Sequence, residues 1–138
     1  MDRSLVAKIL VIDDSPVIRR LLCMMLGAKH HDVAVAADAT SAATVARKEK
    51  PDLIILDLSL PGGDGFLLID RFRNLSRLAF VPIIVLSGEQ SPEIKQRALQ
   101  AGAEAFFTKP PNDEELLAAV EQGLSRTARI GPIKTQTS

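Results

Sequence analysis

Residues 9–16 run Ile9-Leu10-Val11-Ile12-Asp13-Asp14-Ser15-Pro16. Four apolar residues in a row leave no polar face, so the segment reads as a strand covered on both sides, the habit of parallel sheets. Two carboxylates end it. Ser15-Pro16 then opens a helix, with Ser as N-cap and Pro at the first helical position. The same grammar recurs down the chain. Leu53-Ile54-Ile55-Leu56 ends in Asp57, Ile83-Ile84-Val85-Leu86 in Ser87, and Ala105-Phe106-Phe107-Thr108 in Lys109.

Helical patterns fill the gaps between these runs. Residues 16–26 carry Val17, Ile18, Leu21, Leu22 and Met25 at spacings of three and four, one buried stripe, with Arg19 and Arg20 off it. A weak strand is expected at 33–37 and an Ala-rich helix at 41–48. Residues 61–65 (Pro61-Gly62-Gly63-Asp64-Gly65) read as a loop, followed by a helix with Phe66, Leu67, Ile69, Phe72 and Leu75 apolar. The fourth strand is expected over 81–86. A helix over 92–100 stops at Gly102. Asn112, with Glu115 three residues on, starts the last helix, whose inner face is Leu116, Leu117, Val120 and Leu124. Strands buried on both faces and separated by helices predict a three-layer α/β/α domain with a five-stranded parallel sheet. Residues 1–125 read as one domain and 126–138 as a C-terminal tail or the start of a linker.

Composition narrows the function. The 138 residues are 46% hydrophobic, enough for a core without staples, and 17 Lys+Arg balance 17 Asp+Glu. A net charge of zero advertises neither nucleic acid nor a membrane surface as the main partner. One cysteine, Cys23, excludes an intrachain disulfide. No apolar run reaches the ~20 residues of a membrane span, and the first apolar stretch stops at Asp13-Asp14 without a cleavage site. The expectation is a cytoplasmic protein.

Ligands of open parallel sheets bind outside the carboxyl ends of the strands, where Asp13, Asp14, Asp57, Ser87 and Lys109 all stand. Three carboxylates in one pocket repel one another, and a divalent cation relieves this. Oxygen-only ligands suit Mg²⁺. One carboxylate can then attack phosphorus and form an aspartyl-phosphate. The Lys109 ammonium and a Ser87 hydroxyl suit the charge and oxygens of a phosphoryl group.

In this order and spacing, the acidic pair Asp13-Asp14, Asp57 with Pro61 and Gly65 behind it, Ser87, and Lys109-Pro110 resemble the receiver domain of bacterial two-component response regulators. The resemblance covers residue 5 to about 125. It implies a flavodoxin-like sheet of order 2-1-3-4-5. It implies Asp57 as phosphoacceptor, Asp14 and Asp57 as direct Mg²⁺ ligands, Asp13 as a ligand through water and the Ser59 backbone carbonyl as a further ligand. Lys109 would pair with the phosphoryl group, Ser87 would turn toward it, and Phe106 would be the aromatic switch. The donor would be a sensor histidine kinase or phosphotransfer protein. Output to a downstream target or effector domain would run through the face made by the fourth helix, fifth strand and fifth helix, without direct nucleic-acid or membrane contact. The domain would act as a switch with slow autodephosphorylation, not as an enzyme.

This chain departs from the family pattern at a few positions. Leu60 replaces a usual Met, Phe106 lacks a hydroxyl, and Pro111 stiffens the loop after Lys109-Pro110. Ser59 and Glu89 fill the variable positions that tune dephosphorylation. The last helix is acidic at Asp113, Glu114, Glu115 and Glu121, which predicts no strong dimer through that face. Two rivals remain at this level. An aspartate-based phosphohydrolase would place Asp-x-Asp after strand 1, but residue 15 is Ser. A pseudo-receiver would lack part of the five-residue set. His30-His31 lacks partners at metal-ligand spacing, and Cys23 reads as helix packing.

Overall fold

Alternate residues of each central strand face opposite ways, and here both ways are apolar. The strands are therefore sandwiched between helices. The computed structural model describes residues 6–60 and 64–135, with 127–135 as backbone only. The elements are β1 (Lys8–Ile12), α1 (Pro16–Gly27), β2 (Asp32–Ala36), α2 (Ala39–Glu49), β3 (Leu53–Asp57), α3 (Gly65–Arg73), β4 (Ile83–Ser87), α4 (Pro92–Gln100), β5 (Ala105–Thr108) and α5 (Asp113–Thr135). All pairings are parallel, in the order β2-β1-β3-β4-β5. This is the expected flavodoxin-like sheet.

Leu10, Ile12, Ile54, Leu56, Ile83 and Val85 pack one way, against Ala42 and Ala46 of α2, Leu68 and Phe72 of α3 and Ala98 of α4. Ile9, Val11, Leu53, Ile55, Ile84 and Leu86 pack the other way, against Leu22 and Leu26 of α1 and Leu116, Val120 and Leu124 of α5. Of the two β5 phenylalanines, Phe106 joins the first layer and Phe107 the second, both half-buried. Neither is a fully enclosed core residue.

Several local expectations shift. Leu5, where the family resemblance begins, lies outside the described residues. Val17 is 75% exposed, so the packed stripe of α1 is Ile18, Leu22, Met25 and Leu26. Pro61, Gly62 and Gly63 lie outside the described residues, but Asp64 and Gly65 are not loop. Asp64 Oδ1 accepts the Phe66 N–H at 2.8 Å, and this cap starts α3 at Gly65. The third helix stops at Arg73, before Leu75. The last helix passes residue 125 and continues to Thr135, through Gly131-Pro132. The Ser15 and Asn112 caps form as expected, accepting from Ile18 N–H and Glu115 N–H. Gly102 ends the α4 segment at φ +104°, a conformation glycine adopts without strain.

Candidate functional site

A parallel sheet delivers all its strand C-termini to one end. Residues 9–12 of β1 pair with 53–56 of β3, so Asp13 and Asp57 leave the sheet side by side. The Asp13 N–H still donates to Ala36 O across the sheet edge. Carboxylate oxygens of Asp13, Asp14 and Asp57 lie within 4.8 Å of one another. Asp13 and Asp57 are buried, 1% and 2% exposed, while Asp14 is exposed.

The buried pair is tightly held. Asp13 Oδ1 accepts the Ser15 N–H at 2.9 Å, and Asp57 Oδ1 accepts the Ser59 N–H at 3.0 Å. Lys109 follows β5 and reaches between them, with Nζ 2.8 Å from Asp13 Oδ2 and 3.1 Å from Asp57 Oδ2. Its backbone N–H donates to Ser87 O at 2.8 Å, which ties β5 to β4 beside the site. The Asp13 contact is an ion pair rather than an aligned hydrogen bond, so Asp13 Oδ2 is a buried acceptor short of a partner. Among the described residues Asp14 makes no hydrogen bond or ion pair.

Burial pushes the Asp57 carboxyl above the ordinary carboxylate value, and Asp13 adds to this. The Ser59 N–H and Lys109 pull it partly back. Burial alone would lower Lys109, but the two carboxylates outweigh it and raise the ammonium above its ordinary value. The lysine stays charged as the counter-ion of the pair. Ser87 is buried, and its Oγ accepts the Glu89 N–H at 3.0 Å, so the hydroxyl is engaged in its own loop.

The cluster offers oxygen ligands only, two of them buried, one exposed and unpartnered, with one acceptor short of a donor. That is the donor set of a hard divalent cation that keeps several waters, and Mg²⁺ fits it. His31 belongs to no such cluster: it is buried, and its Nδ1 accepts the Ala7 N–H at 3.1 Å.

Two features escape a reading of strand ends alone. Arg19 Nη1 donates to the backbone carbonyl of Asp13 at 2.8 Å. Its one signal in the sequence is an arginine near the start of a helix, where the helix dipole disfavours a cation. Gly65 is the other. A Cβ there would lie 2.7 Å from Leu58 Cα, so α3 rests directly on the residue after Asp57.

The comparisons agree with this geometry. Residues 9–121 match the family model described as "Response regulator receiver domain". The chain is 39% identical over 123 residues to the DNA-binding dual master transcriptional regulator RpaA of Synechocystis, covering 89% of this chain and 51% of that protein. It thus spans about half that relative's length. The structure of the chemotaxis response regulator CheY4 of Vibrio cholerae superposes with a TM-score of 0.79 at 37% identity, covering 85% of this chain and 98% of that one. The BeF3-activated N-terminal receiver domain of Klebsiella pneumoniae RstA gives 0.78 at 32% identity, covering 85% and 97%. The sheet order, the acidic cluster at its carboxyl end and the match over 9–121 together place this chain in the response regulator receiver domain family of two-component systems.

Proposed function

We propose that the chain is a phosphoacceptor switch in which Asp57 takes a phosphoryl group from the phosphohistidine of a sensor histidine kinase or phosphotransfer protein. The observation that carries this reading is the meeting of three carboxylates within 4.8 Å with Lys109 Nζ on two of them. Asp14 and Asp57 would hold Mg²⁺ directly, Asp13 through water, and Ser59 through its backbone carbonyl. Bound there, the ion supplies charge neutralisation for the transferring phosphoryl oxygens.

The rest of the step belongs to the protein. Ser59 N–H fixes Asp57 Oδ1, leaving Oδ2 on the Lys109 side. An Asp57 oxygen attacks phosphorus, the P–N bond breaks, and the imidazole leaves with the electron pair. Lys109 follows the negative charge from the carboxylates to the phosphoryl oxygens. Ser87 keeps its lone pair on Glu89 N–H or turns to donate its hydroxyl proton to a phosphoryl oxygen. Phe106, half-buried against the α2–α4 layer, would move inward behind it. The changed face would be α4, β5 and α5, read by a downstream target or effector domain. Slow loss of the phosphoryl group to water, tuned by Ser59 and Glu89, resets the switch, so turnover is not its purpose.

A cytoplasmic location fits this role, and no helix among the described residues is long and apolar enough to cross a membrane. The receiver unit is proposed as 1–125. No direct nucleic-acid contact is proposed for this chain, whose 17 Lys+Arg are balanced by 17 Asp+Glu.

The test is intact mass after incubation with acetyl phosphate, with and without Mg²⁺, beside Asp57→Asn. One added phosphoryl group requiring both Mg²⁺ and Asp57 is expected. No gain by folded wild-type protein would make the chain a pseudo-receiver.

A further inference from the structure

We infer that Arg19 is a positioning residue for the metal site, acting on Asp14 through the Asp13–Asp14 peptide bond. The inference rests on the phosphoacceptor reading and adds a residue that reading does not use.

Asp13 is held at four points. Its N–H donates to Ala36 O, its Oδ1 accepts from Ser15 N–H, its Oδ2 faces Lys109, and its carbonyl accepts from Arg19 Nη1 at 2.8 Å. Asp14 has none of this support, since its side chain has no partner among the described residues and stands exposed. Its direction is therefore set by its backbone. The Asp13 carbonyl is part of the planar unit that ends at the Asp14 Cα. A guanidinium bound to that oxygen fixes the tilt of the whole plane, and with it the line along which the Asp14 carboxylate leaves the chain.

Helix energetics do not explain an arginine here. Arg19 lies one turn into α1, with its own N–H on Ser15 O. The positive end of the helix dipole opposes a cation at that end, and the first turn holds no acidic residue to offset it. The half-buried side chain instead turns back over the cap to the strand it follows. Arg20, next in sequence, is exposed and is given no such bond.

The two possible roles of Arg19 predict opposite signs. As a bare positive charge near three carboxylates it competes with a cation, so its removal would tighten Mg²⁺ binding. As a clamp on the peptide it orders a ligand, so its removal weakens Mg²⁺ binding. Support of this kind beyond the ligands themselves is typically worth about tenfold or more in metal affinity.

The experiment is calorimetric titration of Mg²⁺ into the full chain as wild type, R19A, R19M, R19K and R20A, with melting temperatures in EDTA as the fold control. R19A and R19M are expected to bind Mg²⁺ about tenfold more weakly. R19K, whose ammonium can donate to the same carbonyl, should recover part of the loss, and R20A should match the wild type. R19M keeps the methylene packing and carries the test if R19A does not fold. Unchanged or tighter Mg²⁺ binding in folded R19A or R19M overturns the clamp, as does an equal loss in R20A. Failure of wild-type protein to bind Mg²⁺ would instead overturn the phosphoacceptor reading beneath it.

Discussion

The two ends of the sheet handle charge in opposite ways. At the end where strands begin, the carboxylates reach water and each has a partner. Lys8 Nζ pairs with Asp32 at 3.1 Å and with Glu49, Asp52 Oδ2 accepts the Lys8 N–H at 2.9 Å, and His31 Nδ1 accepts from Ala7. At the end where strands finish, three carboxylates face one lysine, and two of them are buried. Each end has one lysine among three carboxylates, and burial separates them: water screens the first set, whereas Asp13 and Asp57 are closed off from it. Size does not distinguish them. A cavity of about 760 Å³ lies near the strand-start end, lined by Arg47, Lys50, Leu75, Arg77 and Leu78. Arg47 and Lys50 there sit at the C-terminus of α2, where the helix dipole already favours cations.

The sharpest way to break this contrast is to remove the cation from each end. Lys109→Met should slow phosphoryl incorporation from acetyl phosphate by roughly 100-fold or more, the usual cost of losing one preorganised charge-stabilising donor. Lys8→Met should leave the rate within about twofold, since a partly exposed ion pair at the opposite end of the sheet carries little for the reaction. Initial rates by intact mass compare the two. Similar rates for both variants would erase the division between the ends.

Glycines sharpen the same contrast through stability. At Gly65 a Cβ would meet backbone, 2.7 Å from Leu58 Cα and 2.8 Å from Leu58 O, so Gly65→Ala must move α3 or the residue after Asp57. The expected loss is about 1–3 kcal/mol. At Gly123, near the other end, a Cβ would meet the side-chain atoms Leu53 Cδ1 at 3.1 Å and Pro82 Cβ at 3.3 Å. A side chain gives way more readily than backbone, and alanine adds helix propensity, so Gly123→Ala should cost less. Urea unfolding of both variants decides, and equal losses would remove the distinction.

The strand ends explain why so much of this was legible in the sequence. Residues 9–12 and 53–56 are apolar on both faces, which dictates a covered parallel sheet, and a parallel sheet gathers whatever follows its strands. Asp13, Asp57, Ser87 and Lys109 stand at one end of the sheet by that rule alone. The strand order was not readable from periodicity and came with the family likeness. Contacts that depend on a long side chain doubling back were also hidden, as with Arg19 on Asp13 O. Local competition hid others. Asp64 could read as turn or cap, and the 2.8 Å bond to Phe66 N–H made it a cap. Val17 had the right spacing for the core but lies on the solvent side of α1, 75% exposed.

Removing a buried charge from the strand-finish end should stabilise the metal-free protein. The Asp57 carboxyl is raised in the folded state, first by burial. A raised acid binds its proton more readily folded than unfolded, so its stabilising share is fully present below the ordinary value of 3.8. That share is lost as pH rises through the folded value. At pH 7 in EDTA the folded protein therefore carries a disfavoured buried charge. Asp57→Asn, which can keep the Ser59 N–H bond through its amide oxygen, should raise the urea midpoint, a gain in unfolding free energy of roughly 1 kcal/mol or more. A lower midpoint would mean that the Lys109 ion pair outweighs the burial penalty.

The strand-start end should show the reverse pH response, with a smaller effect. Burial lowers the His31 imidazole below its ordinary 6.5, His30 adds to this, and Glu121 opposes it. A base lowered in the folded state keeps its stabilising share above 6.5 and loses it as pH falls through the folded value. There is also a bond at stake, because protonation of Nδ1 turns the acceptor of the Ala7 N–H into a donor. Asn at this position offers an uncharged acceptor, so His31→Asn should flatten the loss of stability between pH 7.5 and 5.5, by about 1 kcal/mol or less. Urea midpoints of wild type and variant at the two pH values measure it. Asp57 bears on that interval with the opposite sign if at all, so an acid-side loss that His31→Asn removes belongs to the strand-start end alone. An identical loss in the variant would show that the buried imidazole does not govern that end.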